Sequence, residues 1–265
     1  MSDRAAALHR SAWQGVFTVT GGGSQLLAEL LSEPGASATV LEATVPYAAA
    51  ALRQLLGATP DQACSQATAR SMAMAAFQRA LELTSLDPDA AAEEQQTFGL
   101  ACTASLATTR EKKGAHRAHI AIQSASATYT VDLPLSGTRK AEEQQLLKAL
   151  WQTMSRALQL PLSDGAELGE HHSTTAPDPW QALILGDASA HSNQPNDARL
   201  LLPGAFNPLH AGHQQMLAIS ERLTGHPGAY ELSVANVDKP FLDYQEIERR
   251  LEAFDRPVWL THLPT

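Results

Sequence analysis

The alternation of apolar and polar positions along the chain predicts two α/β segments separated by a polar stretch. Up to residue 162, short apolar runs alternate with stretches whose apolar residues recur every three or four positions, as in successive strands and helices. Residues 1–162 are therefore expected to form one layered α/β domain. The predicted strands cover residues 16–20, 39–45, 97–103, 118–123 and 127–133, and the predicted helices cover 25–32, 48–56, 64–83 and 140–158.

Residues 163–198 are expected to be a linker, because they are rich in Ser, Asn, Asp and Pro and contain few large apolar side chains. A short apolar stretch at 180–185 interrupts the linker and fits either one strand or one helix. The adjacent pair His171-His172 could in principle bind a metal ion, but neighbouring histidines in a flexible loop seldom do. No metal site is predicted.

Residues 199–265 return to the α/β pattern. Strands are predicted at 200–202, 231–236 and 257–261, and apolar residues at Ile247, Leu251 and Phe254 indicate a helix before the last strand. This order is typical of a doubly wound, Rossmann-like fold, but the segment has roughly half the length that such a domain needs. We therefore expect the first half of such a domain, either from a truncated chain, which we favour, or completed by a partner.

Composition narrows the class of protein. The 265 residues are 44% hydrophobic and 18% charged, which is ordinary for a globular chain with a sizeable core. The net charge of -9 argues against a nucleic-acid partner, and neither a membrane-spanning run nor a signal peptide is apparent. A cytoplasmic protein is expected, with Cys64 and Cys102 as reduced, buried thiols.

The densest candidate site lies between the strand at 200–202 and the helix that follows it. Gly204 allows a close approach of the backbone, and a helix that begins near residue 210 would present free N–H groups and a positive dipole end to an anion. His210 and His213 are three apart, so both can reach one triphosphate. Lys239, just after the strand predicted at 231–236, is a further candidate for a phosphate or acceptor contact.

This loop resembles the signature of the nucleotidyltransferase superfamily, in which a glycine, an aromatic residue and a proline precede His-x-Gly-His. The resemblance implies transfer of a nucleotidyl group from ATP or CTP, with Mg²⁺, and two catalytic histidines that bind phosphate oxygens rather than act as bases. It also implies that Ala205 and Asn207 line the nucleotide site. The family's second signature, which grips the triphosphate, does not occur in this sequence. The matching positions are Gly204, Phe206, Pro208, His210, Gly212 and His213.

The first segment carries a second set of motifs. A glycine turn at 21–24, a Pro-Gly-Ala-Ser loop at 34–37, Tyr47, a Leu-Leu-Gly helix end at 55–57 and an alanine- and methionine-rich helix at 67–77 follow in that order. This order resembles the C-terminal domain of the competence-damage-inducible (CinA) proteins, the nicotinamide-nucleotide amidase family, over most of residues 10–160. The resemblance implies a homo-oligomer.

The resemblance also implies an amidase site that this chain keeps only in part. In the family, a serine of the Pro-Gly-Ala-Ser loop attacks the amide, helped by a tyrosine and by a lysine five residues further on. Ser37 and Tyr47 match two of these positions, whereas the third is Leu52, and the chain has no lysine before Lys112. Ser37 and Tyr47 are therefore expected to be vestiges of an amidase site.

Taken together, the resemblances favour a nucleotidyltransferase-like protein that acts on a small phosphorylated acceptor once its domain is completed. Nicotinamide mononucleotide is the acceptor suggested by pairing the two families. Two other hypotheses remain: a non-catalytic nucleotide-binding or scaffold protein with two vestigial sites, and a nicotinamide-nucleotide amidohydrolase that uses Ser37. The expected partners are small nucleotides and further copies of the chain, with neither nucleic acid nor membrane.

Overall fold

The computed structural model describes residues 3–86, 96–109, 114–162, 165–236 and 238–263. The chain divides into two compact units, Met1–Thr174 and Thr175–Thr265. Both units are mixed α/β structures, as the sequence predicts.

The first unit begins with a short helix that the sequence pattern did not predict, and then follows the predicted alternation. Its helices are α1 (Asp3–His9), α2 (Ser24–Ser32), α3 (Ala49–Leu56), α4 (Gln66–Leu86) and α5 (Arg139–Ala157), with a 3-10 turn at Ala36–Ala38. Its strands are β1 (Trp13–Thr20), β2 (Val40–Thr44), β3 (Gln96–Ser105), β4 (Arg117–Ser124), β5 (Ala127–Pro134) and β6 (Glu170–Thr175).

These strands form one mixed sheet in the order β2-β1-β3-β4-β5-β6. Strand β1 lies parallel to both β2 and β3, while β3, β4 and β5 pair antiparallel. The antiparallel pairing of β4 with β5 follows from the two-residue connection between them, because a parallel pairing would need a long crossover.

Helices cover both faces of this sheet. On one face α1, α2 and α5 bury the larger cluster, which contains Phe17, Leu150 and Trp151. On the other face α3 and α4 bury smaller clusters, in which Met72 packs with Leu52 and Ala121. The first unit is therefore a three-layer structure with the sheet in the middle.

The second unit contains three parallel strands joined by helices. Strands β8 (Leu200–Pro203), β9 (Gly228–Ser233) and β10 (Val258–Thr261) are connected by α7 (Ala211–Thr224) and α8 (Tyr244–Leu251). Before them lie α6 (Asp178–Leu185) and β7 (Ala190–Ser192), and β7 pairs antiparallel with β10. The sheet order is β7-β10-β9-β8.

Strand β8 is an end strand of this sheet among the described residues. Leu201 on this strand is about half exposed, at 50%, and Met216, Ile219 and Leu223 lie exposed along α7. The order of the parallel strands matches the first half of a doubly wound sheet, in which the next strand would add beside β8.

The structure differs from the sequence predictions in four places. Residues 163–198, expected to be a linker, carry β6, α6 and β7 in their described part, so the short apolar stretch at 180–185 is a helix. Strand β9 begins and ends three residues before the predicted 231–236, and Phe254 lies beyond the end of α8. Cys102 is buried as predicted, whereas Cys64 is partly exposed, and neither forms a disulfide. Among the described residues, no helix is both long and apolar enough to cross a membrane.

Candidate functional site

The predicted phosphate loop, residues 204–210, connects the carboxyl end of β8 with the first turn of α7. Helix α7 starts at Ala211, and His210 is its N-cap residue with extended backbone angles. The first-turn amides of a helix lack partners within the helix and carry the positive end of its dipole. The structure therefore places the two predicted histidines where an anion would be favoured.

The ring of Phe206 packs in the interior and holds the loop in place. Its side chain is buried, and its ring contacts His213, Tyr230 and Phe254 edge-on at centroid distances of 5.0, 5.1 and 5.4 Å. The φ angle of Phe206 is 46°, a left-handed conformation that non-glycine residues seldom adopt. Gly204 is needed beside it, because a Cβ there would lie 2.8 Å from the Phe206 ring.

The side chains of His210 and His213 contact each other directly. Their rings stack with centroids 3.7 Å apart, and the backbone N–H of His210 donates to Nδ1 of His213 over 3.3 Å. Because Nδ1 of a neutral His213 accepts this bond, its proton sits on Nε2, which is then a donor. A Cβ at Gly212 would come within 3.1 Å of the His210 ring, so the glycine leaves room for the stack.

Two arginines from α8 hold the loop from the other side. Arg249 donates to Oδ1 of Asn207 at 2.7 Å, and Arg250 donates to the carbonyl of Ala205 at 2.9 Å. Both also pair with Glu246. Burial alone would raise the pKa of Glu246, but the hydrogen bonds from the two arginines outweigh it and lower that pKa to about 2.

A cleft of about 410 Å³ opens at the carboxyl ends of β8 and β9. Its lining includes Gly204, Ala205, Asn236, Lys239 and Arg250, whereas neither His210 nor His213 is among the lining residues. The cleft therefore meets the loop at Gly204 and Ala205. This end of a parallel sheet is where doubly wound folds bind ligands.

The arrangement offers hydrogen-bond donors and positive charge to an anion. At the start of α7 these donors are the backbone amides of Ala211 and Gly212 and the imidazoles of His210 and His213, since the His213 amide already donates to the carbonyl of His210. The ammonium of Lys239 lies along the neighbouring cleft. Among the residues that the structure describes, no three His, Cys, Asp or Glu side chains are grouped to hold a metal ion.

Sequence reasoning missed Arg249 and Arg250. Both belong to a helix whose charged residues look like an ordinary solvated face, and only the fold brings them within reach of the loop. No local signal in the sequence links them to the loop, because Arg249 lies 42 residues after Asn207 and Arg250 lies 45 residues after Ala205.

The amidase-like positions of the first unit lie in different surroundings. Ser37 is exposed in the 3-10 turn, and the Tyr47 side chain is 68% exposed. Leu52, at the position of the family's lysine, is buried on α3 and belongs to the cluster with Leu56 and Met72. An apolar core side chain therefore occupies the position where the resemblance implies a lysine.

No family model and no curated protein sequence matches the chain. Solved structures of the CinA superfamily are similar over 60% of the chain, its N-terminal part. One is the competence/damage inducible protein CihA from Agrobacterium tumefaciens, with 18% identity, 96% of its length covered and a TM-score of 0.45. CinA superfamily proteins from Enterobacter cloacae and Klebsiella pneumoniae give 17% and 18% identity, 88% and 95% coverage of their chains, and TM-scores of 0.44 and 0.45. Similarity at these identities and TM-scores assigns no activity to this chain.

Proposed function

We propose that the second unit binds the triphosphate of ATP or CTP at the loop between β8 and α7. We further propose that it transfers the nucleotidyl group to a small phosphorylated acceptor when additional strands complete the sheet beside β8. The observation that carries the proposal is the stacked pair of His210 and His213 at the N-terminus of α7.

Charge development explains why such a pair suits this reaction. As the bond to the α-phosphorus breaks, negative charge moves to the leaving pyrophosphate, and fixed donors aimed at its oxygens stabilise the transition state. The Nε2–H of His213, the His210 imidazole and the α7 amides are such donors. Neither histidine needs to remove a proton, so the step depends on positioning.

The acceptor is proposed to use the cleft beside the loop. Lys239 and the backbone around Asn236 line this cleft, and an ammonium group there suits a phosphate monoester. Nicotinamide mononucleotide fits that chemical class and is suggested by the pairing of the two resemblances. Mg²⁺ would enter with the triphosphate and neutralise part of its charge.

Calorimetric titration with ATP and CTP in the presence of Mg²⁺ tests the triphosphate site. The intact chain should bind at least one of them, and the double variant His210→Ala/His213→Ala should lose about tenfold or more in affinity, since each charge-assisted hydrogen bond contributes roughly 1–3 kcal/mol. His226→Ala is the matched control, because that histidine lies exposed in the loop after α7.

Failure of the intact chain to bind either nucleotide would contradict the proposal, and so would equal binding by the double variant. Where binding is found, release of pyrophosphate in the presence of nicotinamide mononucleotide would then distinguish transfer from binding alone.

A second candidate is a nucleotide-binding or scaffold protein without catalytic activity, assembled as a homo-oligomer through the first unit. The buried Leu52 favours this candidate for the amidase-like site, because an apolar side chain cannot accept a proton from Ser37. A working amidohydrolase would release ammonia from nicotinamide mononucleotide, and Ser37→Ala would abolish that release. We expect no ammonia from either protein.

A further inference from the structure

Three polar side chains lie in one row across the sheet of the first unit. Thr103 on β3 is directly opposite His119 on β4, and His119 is directly opposite Asp132 on β5. Directly opposite residues of antiparallel strands place their side chains on the same face. The register alone therefore lines up a hydroxyl, an imidazole and a carboxylate.

The segment that leads into α4 places Cys64 over this row. Thr103 donates from Oγ1 to the carbonyl of Ala63 at 2.7 Å, and Arg117 donates to the carbonyl of Cys64 at 3.2 Å. The Cys64 thiol faces the backbone carbonyls of Thr103 and Arg117, with Sγ 3.7 and 3.8 Å from their oxygens. Thr103 lies directly opposite His119, and Arg117 lies two residues before it on β4. The contacts therefore place the thiol near His119.

The imidazole of His119 is held by one nitrogen only. Its Nδ1 lies 2.6 Å from Oδ1 of Asp132, and Gln66 donates to the other oxygen of Asp132 at 3.0 Å. Its Nε2 is buried and has no hydrogen-bond partner among the described residues, although the side chain is 13% exposed. A carboxylate on Nδ1 leaves Nε2 free to exchange a proton with the thiol, as in Cys-His catalytic pairs.

Charged and polar neighbours act on His119. Burial lowers the pKa of His119, but the hydrogen bond to Asp132 and the interaction with Cys64 raise that pKa to about 9. Arg117 adds positive charge from β4, and Arg70 follows Gln66 by one turn on the same face of α4. Cys102, which precedes Thr103 on β3, also interacts electrostatically with Cys64.

We propose that Cys64, His119 and Asp132 form a nucleophilic thiol site in the first unit, separate from Ser37, that reacts with small anionic disulfides. Cys64 is the nucleophile, His119 takes its proton, and Asp132 orients the imidazole. The proposal is independent of nucleotide binding by the second unit.

The reaction is thiol–disulfide exchange. The Cys64 sulfur, as a thiolate, forms a new S–S bond with one sulfur of the disulfide. The S–S bond of the reagent breaks, and its second half leaves as a thiolate with the electron pair. An anionic reagent is favoured because Arg117 and a protonated His119 lie beside the sulfur.

The second cysteine shows what an ordinary structural thiol looks like in this fold. Cys102 is fully buried in the larger core cluster, and burial raises its pKa, so it should stay protonated and unreactive. Cys64 is partly exposed and lies two residues before α4 begins, near the positive end of a 21-residue helix.

The test is the rate of reaction with the anionic disulfide 5,5′-dithiobis(2-nitrobenzoate), followed through its coloured leaving thiolate. The folded protein should show a fast phase of one thiol that is absent in Cys64→Ser. His119→Gln and Asp132→Asn should each slow this phase about tenfold or more at pH 6.5. The rate should fall with decreasing pH more steeply in these variants than in the parent.

His226→Gln serves as the remote control, and near-UV circular dichroism reports whether each variant is folded. A fast phase that persists in Cys64→Ser overturns the proposal. Unchanged rates and pH profiles in folded His119→Gln and Asp132→Asn also overturn it. If both variants fail to fold, the parent protein provides the test. The proposal is contradicted if Cys64 of the folded parent reacts no faster than Cys64 of the chain unfolded in guanidinium chloride.

Discussion

Leu52 belongs to the apolar core of the first unit. It lies on α3 at the position where the resembled amidases carry lysine, and its side chain is only 4% exposed. It packs in the cluster with Leu56, Ala69 and Met72. Restoring the lysine would bury an ammonium group among apolar side chains, which is unfavourable without a paired charge.

We expect Leu52→Lys to lower the free energy of unfolding by about 2–4 kcal/mol, because the substitution loses apolar packing and buries a charge. Leu52→Met, which conserves volume, should cost less than about 1.5 kcal/mol. Urea denaturation of the two variants measures both values. Equal stability of Leu52→Lys and Leu52→Met would show that the site tolerates an ammonium group.

His119 makes stability depend on pH. Its pKa is raised from an ordinary 6.5 to about 9 in the folded protein, so the folded state binds the proton more tightly than the unfolded state. The resulting stabilisation is fully present below pH 6.5 and is lost as pH rises through 9. The stability difference between the parent and His119→Gln should therefore shrink between pH 6.5 and 9.5.

Chemical denaturation across that pH range checks this expectation, with His226→Gln as the variant that removes a histidine from an exposed loop. The expectation is contradicted if the difference in unfolding free energy between the parent and His119→Gln stays constant or grows with pH.

The residues of the phosphate loop could be predicted because their chemistry is local in sequence. His210 and His213 are one helical turn apart, and their glycines stand within the same motif. Arg249, Arg250 and the Cys64–His119–Asp132 row could not be predicted, since strand register and helix packing bring together residues that lie far apart in the chain.

At the scale of elements, periodicity predicted most strands and helices of both units. It failed for β6 and β7, which are short and polar, because a strand that pairs at a sheet edge needs few apolar residues. The contact between β3 and α4 shows what periodicity cannot reveal. A Cβ at Gly99 would lie 2.2 Å from backbone atoms of Ala73 and Phe77, so the helix approaches the strand over this glycine.

Gly99→Ala should therefore destabilise the first unit by about 3 kcal/mol or more, because backbone atoms of α4 cannot move aside as a side-chain end can. Gly114→Ala is the matched control, since nothing lies within 4 Å of a Cβ built there. Thermal unfolding of both variants compares them. A Gly99→Ala protein as stable as Gly114→Ala would mean that the close approach of β3 and α4 is not needed.

For the whole molecule, each unit has its own buried core. Ile120 is fully buried in the first unit, and Ile247 is buried in the second. The four tryptophans are shared evenly, with Trp13 and Trp151 in the first unit and Trp180 and Trp259 in the second. Units with separate cores are expected to unfold as separate cooperative transitions.

Fluorine NMR of the 5-fluorotryptophan protein in increasing urea tests this separation with a reciprocal pair of variants. Ile120→Val should lower the unfolding midpoint reported by Trp13 and Trp151, and Ile247→Val the midpoint reported by Trp180 and Trp259, by the equivalent of about 0.5–1.5 kcal/mol in each case. Each variant should leave the other unit's midpoint in place, because the lost methylene belongs to one core. If either substitution moved all four resonances together, the chain would unfold as a single cooperative body. Independent midpoints would instead allow the thiol site and the phosphate loop to be varied separately without one perturbing the fold of the other.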